Sequence, residues 1–311
     1  MAYPPLTAGK PYIFGNFESQ NSKQDQDEKE RLVFDKISIV FEVPVFMTGN
    51  TYSKIFYEKL HLILSGCEKE YKPNDNFEYN VKYGEIFVSW GRGVADSKGS
   101  MLRLEFNPDK VNKQSLQPIL QLVGIRKLKE SRITRLDVAI DYRAVIDPLM
   151  FYDKNKRKHS VYWGKSNGAE SVYLGSKKSD ILIRIYNKSL QQKECFDIDP
   201  SGSWWRVEAQ IQKGYDYLSY FENPFKEMLY VAHLELKGTY SQDILKKLAE
   251  YYVKREGIQS LIAMCPERSR KKVRGWFIES KNLRKPKEVF EEMFYVLWCE
   301  YKHELENMCG V

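Results

Sequence analysis

The stretch Val172–Lys188, VYLGSKKSDILIRIYNK, decides how this chain is read. Its second half, ILIRIYN, alternates as a β-strand does. Residues two apart on a strand share a face, so Arg184, Tyr186 and Lys188 are expected to point one way and Ile183 and Ile185 the other. A phenol flanked by two cations is what a tyrosine nucleophile attacking a phosphodiester needs. The triplet alone favours a surface tyrosine between solvated charges, since half-exposed antiparallel strands alternate in this way.

Two further segments shift that balance. In Ile133–Tyr142, ITRLDVAIDY, alternation puts Arg135, Asp137, Ala139 and Asp141 on one face and Leu136, Val138 and Ile140 on the other. In Trp204–Ile211, WWRVEAQI, Arg206, Glu208 and Gln210 share one face and Trp205, Val207 and Ala209 the other. Paired in one antiparallel sheet, the three strands would gather three carboxylates, three cations and a tyrosine on a single surface.

Composition narrows the function classes. The 311 residues, 42% hydrophobic and 14% aromatic with 21 Tyr, support one large domain or two ordinary ones. No run of about 18 apolar residues occurs, and MAYPPLTAGKPY lacks a hydrophobic signal core. The expected place is the cytoplasm, with no membrane partner. The five cysteines form no C-x-x-C pair and the four histidines no H-E-x-x-H, which argues for reduced thiols and against a zinc site. A divalent ion would need oxygen ligands, which suits Mg²⁺ or Mn²⁺. There is no G-x-x-x-x-G-K-[ST] phosphate loop.

The net charge of +7 is concentrated: Lys254 to Lys287 holds 11 Lys or Arg against 3 Asp or Glu. Such a region is the electrostatic footprint of a polyanion partner. Arg268, Arg270, Lys271, Lys272 and Arg274 are its centre, suited to backbone phosphates. Lys177 and Lys178, in a loop that could cradle a phosphate or simply close a hairpin, are further DNA-binding candidates. Trp163, Trp204 and Trp205 fit a core better than a base-stacking platform.

Along the chain, residues 1–30 read as a flexible arm. A first α+β unit follows over 31–125, with a strand at Leu32–Val45, a helix at Tyr52–Cys67, strands at Glu78–Trp90 and Met101–Phe106 and a helix at Lys113–Leu122. A second unit, 126–238, carries the tyrosine and continues into a helical stretch at Lys213–Tyr220. Residues 239–311 read as a basic helical region, with helices at Tyr240–Glu256 (ending at Gly257), Pro266–Phe277 and Pro286–Met308. FDKISIVFE at 34–42 is similar to RLDVAIDYR at 135–143, and GSMLRLEFNPDK at 99–110 to GSWWRVEAQIQK at 202–213. The fold expected is α+β: an antiparallel-sheet body of two duplicated ferredoxin-like units, then the basic helices. Only the second copy has the tyrosine; the first has EIFVSWGR in its place.

TRLDVAIDY, YLGSKKSDILIRIYNK and WWRVE, in this order, resemble the initiator proteins of rolling-circle plasmids, the trans-acting Rep family, and the related relaxases of conjugative elements. The resemblance covers about residues 32–240. It implies binding to a double-strand origin with a hairpin, then nicking of one strand by the tyrosine of R-x-Y-N-K, here Tyr186. The product would be a 5′-phosphotyrosyl link and a 3′-OH primer. It implies a homodimer, a divalent metal and a superfamily-1 helicase partner.

On that reading Arg184 and Lys188 favour the phenolate and Arg206 balances developing charge. Asp137, Glu208 and Asp141 are the metal-ligand candidates, with Asp137 and Asp141 about 13 Å apart along an ideal strand. Asp180 has a weaker claim. A conjugative relaxase, or a DNA-binding replication regulator without cleavage, stays open as an alternative.

Overall fold

The β-prone run expected over Leu32–Val45 forms β1, Glu30–Val43, in the computed structural model, which describes residues 30–43, 51–67, 69–72, 77–91, 100–155, 158–164, 168–235 and 241–310. The expected N-terminal arm lies outside the described residues except for Glu30, which opens β1. The first half continues with α1 (Thr51–Ile63), β2 (Lys69–Tyr71), β3 (Tyr79–Tyr83), β4 (Ile86–Gly91), β5 (Ser100–Phe106), α2 (Lys113–Val123) and α3 (Ile125–Lys129). The second comprises β6 (Arg132–Tyr142), β7 (Phe151–Asp153), β8 (His159–Trp163), β9 (Ala169–Leu174), β10 (Ile181–Asn187), α4 (Lys188–Phe196), β11 (Trp205–Ile211), β12 (Tyr215–Asp216) and β13 (Met228–Leu234). Last come α5 (Ser241–Met264), α6 (Glu267–Arg274), β14 (Phe277–Glu279) and α7 (Pro286–Met308).

The fold is α+β around one large antiparallel sheet, ordered β2-β3-β4-β5-β1-β6-β11-β10-β9-β8, with β12 added on β6. The order reads as two halves mirrored about the β1–β6 pair. It does not by itself identify either half as a ferredoxin-like unit.

Alternation decides which face is covered. Ile37, Ile39 and Phe41 of β1, Val138 and Ile140 of β6, and Ile183, Ile185 and Val207 of β10 and β11 are all buried in one core. α7 closes that side: Phe294 and Trp298 meet Phe34 edge-on at 5.7 and 5.8 Å between ring centroids. Burying each such ring contributes about 1.5–3 kcal/mol. The opposite face carries the charged residues.

A register shift in β1 between Phe34 and Lys36 makes Asp35 an extra residue against β6. Such a bulge leaves one residue unpaired and resets the alternation. Leu32 and Phe34 before it, and Ile37 and Ile39 after it, thereby all reach the core.

Several expected elements differ in detail. Glu78–Trp90 is two strands joined by a turn in which Gly84 takes φ 55. Lys213–Tyr220 is not helical: Tyr215 pairs with Ile133, and Tyr217 is fully buried with its amide donating to the Ser131 carbonyl. Gly257 does end a helix, but a second one restarts behind it and runs to Met264. Its φ of 81 needs a residue without a Cβ, and a Cβ there would meet Leu149 at 3.3 Å. The helix expected over Pro266–Phe277 stops at Arg274, since Phe277–Glu279 pairs with β13.

Residues after 239 divide between two cores. α5 and α6 pack through Ile258, Leu261 and Val273 with Tyr152 of β7 and Val231 of β13, whereas α7 belongs to the main core.

Candidate active site

β6, β11 and β10 are neighbours, so the three charged strand faces form one surface. Arg184 stands opposite Glu208 and Tyr186 opposite Arg206; Arg206 in turn stands opposite Asp141, and Gln210 opposite Asp137. The gathering expected from alternation is therefore observed.

The tyrosine sits within an ion-pair network. The Tyr186 hydroxyl donates to Glu208 Oε2 at 3.1 Å. Arg184 Nη2 donates to Glu208 Oε1 and lies 3.7 Å from Asp137 Oδ2. Asp137 also accepts both Nε and Nη2 of Arg135, at 2.8 and 2.6 Å. Arg206 donates two hydrogen bonds to Asp141, at 2.6 and 2.7 Å, and lies 3.3 Å from Asp35.

Lys188 departs from the strand triplet. The strand ends at Asn187, whose side chain accepts from the Leu190 amide and so caps a helix that Lys188 opens. Even so, Lys188 Nζ lies 5.8 Å from the centre of the Tyr186 ring, and it donates to Gln191 Oε1 at 2.7 Å.

The electrostatics reverse one expectation. Burial, then the Glu208 charge, raises the Tyr186 pKa well above the ordinary phenol value, and Arg206 and Arg184 do not outweigh them. The flanking cations therefore do not produce a resting phenolate; the phenol keeps its proton. Burial also raises the Glu208 carboxyl, against the opposing pull of Arg184. Burial, with the Arg206 charge, lowers Lys188 to about 8. Burial disfavours the Arg206 charge, yet the hydrogen bonds and charge of Asp141 hold its pKa above the ordinary value.

The metal-ligand candidates separate in the same way. Asp137 and Glu208 converge on one guanidinium nitrogen of Arg184, so a cation already stands between their oxygens. Two buried carboxylates facing a shared positive charge are a donor set that suits a hard divalent ion. Asp141 is taken by Arg206 instead. Among the described residues no group of three or more His, Cys, Asp or Glu side chains is placed to hold a metal.

Two residues were missed by the sequence reading. Asp35 reaches Arg206 only because it is the bulged residue, which no alternation rule indicates. Arg135, placed on the charged face from sequence, clamps Asp137; its two-residue spacing from Asp137 on one strand was the available signal.

The other candidates fall elsewhere. Lys177 and Lys178 are exposed in the β9–β10 turn. The Ser176 and Ser179 amides of that turn are bonded within it, as in a plain hairpin loop. Asp180 is exposed in the same turn. Arg268, Lys271, Lys272 and Arg274 are exposed on α6, while Arg270 donates to the Cys265 carbonyl at 3.0 Å. α6 packs with the second core and not with the strands that carry Tyr186. Trp205 is buried; Trp204 lies under the Arg143 guanidinium at 4.2 Å, and Trp163 is exposed.

Residues 149–254 match the family model described as replication initiation factor. That span includes Arg184, Tyr186, Lys188, Arg206 and Glu208 but not Asp137 or Asp141. Three curated relatives, each a replication initiation protein of Staphylococcus aureus, are 27% identical over 154 residues. The aligned part is 49% of this chain and 48–49% of theirs, so the chain spans about half the length of the curated relatives it matches. The relationship to the replication initiation factors thus holds over part of the chain.

Proposed function

We propose that this protein initiates rolling-circle plasmid replication, binding a double-strand origin with a hairpin in the cytoplasm and nicking one strand through Tyr186. The observation that carries this reading is the Tyr186 hydroxyl donating to Glu208 at 3.1 Å, with Arg184 on the same carboxylate. A neutral phenol is a weak nucleophile at pH 7. Glu208, whose raised pKa makes it the stronger base, is already in contact with the proton that must leave.

The step balances as follows. Tyr186 Oη bonds to phosphorus while its proton passes to Glu208 Oε2. The bond from phosphorus to the 3′ oxygen breaks, and that oxygen takes up a proton as the 3′-OH primer. The 5′ phosphate stays on Tyr186, and reversal of the same step reseals the strand without ATP. Arg184 and Lys188, the cations beside Tyr186, would offset the charge that the non-bridging oxygens gain. Arg206, locked on Asp141 and Asp35, holds a fixed positive charge in register with the tyrosine.

A divalent Mg²⁺ or Mn²⁺ would be held by Asp137 together with the Glu208 oxygen that does not face the Tyr186 hydroxyl, in place of Arg184, and would supply Lewis-acid polarisation of a phosphate oxygen. Arg268, Arg270, Lys271, Lys272 and Arg274 supply a basic helix for backbone phosphates, with Lys177 and Lys178 nearer the tyrosine in sequence. Homodimerisation and recruitment of a superfamily-1 helicase belong to the same reading.

The test uses supercoiled DNA carrying the origin of the protein's own plasmid, with Mg²⁺ or Mn²⁺, and compares wild type with Tyr186→Phe. The expected result is nicked circles and a covalent protein–DNA band on a denaturing gel, both lost in the variant while DNA binding is kept. Undiminished nicking by Tyr186→Phe would move the nucleophile elsewhere. Tight binding without nicking by wild type would favour a DNA-binding regulator.

A further inference from the structure

The edge of the sheet beyond Tyr186 carries a pair of tyrosines that the chemistry above does not use. Across β10, β9 and β8 one register row reads Tyr186, Ser171, Tyr162. The adjacent row on the same face reads Arg184, Tyr173, Ser160. Small residues thus alternate with aromatic ones. Tyr162 and Tyr173 pack edge-to-face with ring centroids 4.9 Å apart and an interplanar angle of 64°.

Side chains on a strand stand roughly perpendicular to the sheet. Tyr162 and Tyr186 rise from strands two spacings apart, about 9.6 Å between backbones, with only the serine of Ser171 between them. A nucleobase is about as thick as the base-pair rise, ~3.4 Å. The notch over Ser171 therefore has room for one base.

Its walls fit that occupant. Tyr162 is 45% exposed on the edge strand β8. Tyr173 is half-buried and braces it. Burial raises the Tyr173 phenol, against the opposing Arg184 charge, so the ring is neutral and offers a π face. The cations at the Tyr186 end, Arg184 and Lys188, complement a phosphate, and the aromatic end complements a base. A nucleotide has both parts in the same order.

We propose that the notch over Ser171, between Tyr162 and Tyr186 with Tyr173 bracing Tyr162, receives an unpaired base adjacent to the phosphate that Tyr186 attacks. This inference rests on the nicking reading of the same site. It assigns Tyr162 as the stacking residue and Tyr173 as the residue that positions it. It also places the melted strand across β9 and β8, toward the sheet edge. The recognition is of single-stranded DNA by stacking, which is largely indifferent to base identity.

The test measures binding of a roughly 12-nucleotide single-stranded oligothymidylate, and of a duplex of equal length, to protein carrying Tyr186→Phe so that nothing is cleaved. Tyr162→Ala should weaken single-strand binding on the order of ten-fold, the size of losing one stacked base. Duplex binding should be unchanged and Tyr162→Phe should behave as the parent. Tyr220→Ala, which removes an exposed tyrosine outside β8–β10, serves as the control. An equal loss in the control, or no loss in Tyr162→Ala, overturns the proposal.

The two readings fail separately. If the protein with Tyr186 intact does not nick its origin but Tyr162→Ala still loses single-strand affinity selectively, the nicking reading falls and the notch stands. If it nicks and Tyr162→Ala binds single strands normally, only the notch falls.

Discussion

The two halves of the sheet place the same motif in opposite electrostatic states. Each has an arginine two residues before a glutamate on the strand next to the central pair: Arg103 and Glu105 on β5, Arg206 and Glu208 on β11. Each has a tyrosine on its edge strand, Tyr71 on β2 and Tyr162 on β8, in register with the residue next to that motif. Yet Ser89 stands opposite Arg103 where Tyr186 stands opposite Arg206. Phe87 stands opposite Glu105 where Arg184 stands opposite Glu208, and it packs against Tyr71 at 5.3 Å.

Glu105 is met by Lys36 at 3.1 Å and by Arg103 at 2.5 Å. Burial raises its carboxyl, but those two charges outweigh burial and leave it below the ordinary value. Glu208 is more deeply buried, and its pKa ends above the ordinary value. The motif Arg-x-Glu therefore does not make a base. A base results when burial and neighbouring carboxylates, here Asp137 and Asp35, outweigh the Arg184 and Arg206 charges and the glutamate is in contact with a proton to remove.

The largest expected effect breaks the comparison outright. Glu208→Gln removes the proposed proton acceptor, and nicking should fall by about 10²–10⁴-fold, the usual range for a general base. Glu105→Gln should leave the nicking rate near wild type. The measurement is the initial rate of supercoiled-to-nicked conversion at saturating protein. If the two variants lose activity equally, the halves are not differentiated as argued.

The next effect concerns stability. Arg206 and Asp141 are both buried and doubly hydrogen-bonded, with side-chain exposures of 7% and 10%. Arg206→Ala removes that partner from a buried carboxylate and should cost about 3–5 kcal/mol. Arg103 is 28% exposed, and Glu105 keeps Lys36 if it is lost. Arg103→Ala should cost about 1 kcal/mol. Urea unfolding of the two variants decides this, and similar midpoints would contradict the burial argument.

Much of this difference was legible before the structure, and the remainder was not, for identifiable reasons. The period of two assigned the faces of β6, β10 and β11 correctly, because a half-covered antiparallel sheet forces alternation. The same rule misplaced Lys188, since one side-chain cap from Asn187 turns the chain into a helix. It gave no sign of Asp35, because a bulge is an added residue and not a pattern. The protonation state of Tyr186 was read with the wrong sign: sequence shows the neighbouring charges but not the burial, and burial is the larger effect.

The smallest effect is a pH dependence with opposite sign in the two halves, and it tests the comparison without any DNA. Glu105 has a folded pKa below its unfolded value, so its charge contributes stability that is present above about pH 4.5 and is lost as pH falls through the lowered folded pKa. Glu208 has a folded pKa above its unfolded value. The folded protein then binds the proton more readily than the unfolded chain, and stability declines as pH rises from about 4.5 through the raised value. Glu105→Gln should therefore lower the unfolding midpoint at pH 7 and have less effect at pH 4. Glu208→Gln should cost less than Glu105→Gln at pH 7, and its effect relative to wild type should become less favourable toward pH 4. Thermal unfolding of wild type and both variants across that range reads the two slopes. Slopes of the same sign would mean that Glu208 is as well compensated as Glu105, and the distinction between a scaffold glutamate and a reactive one would fail at its physical root.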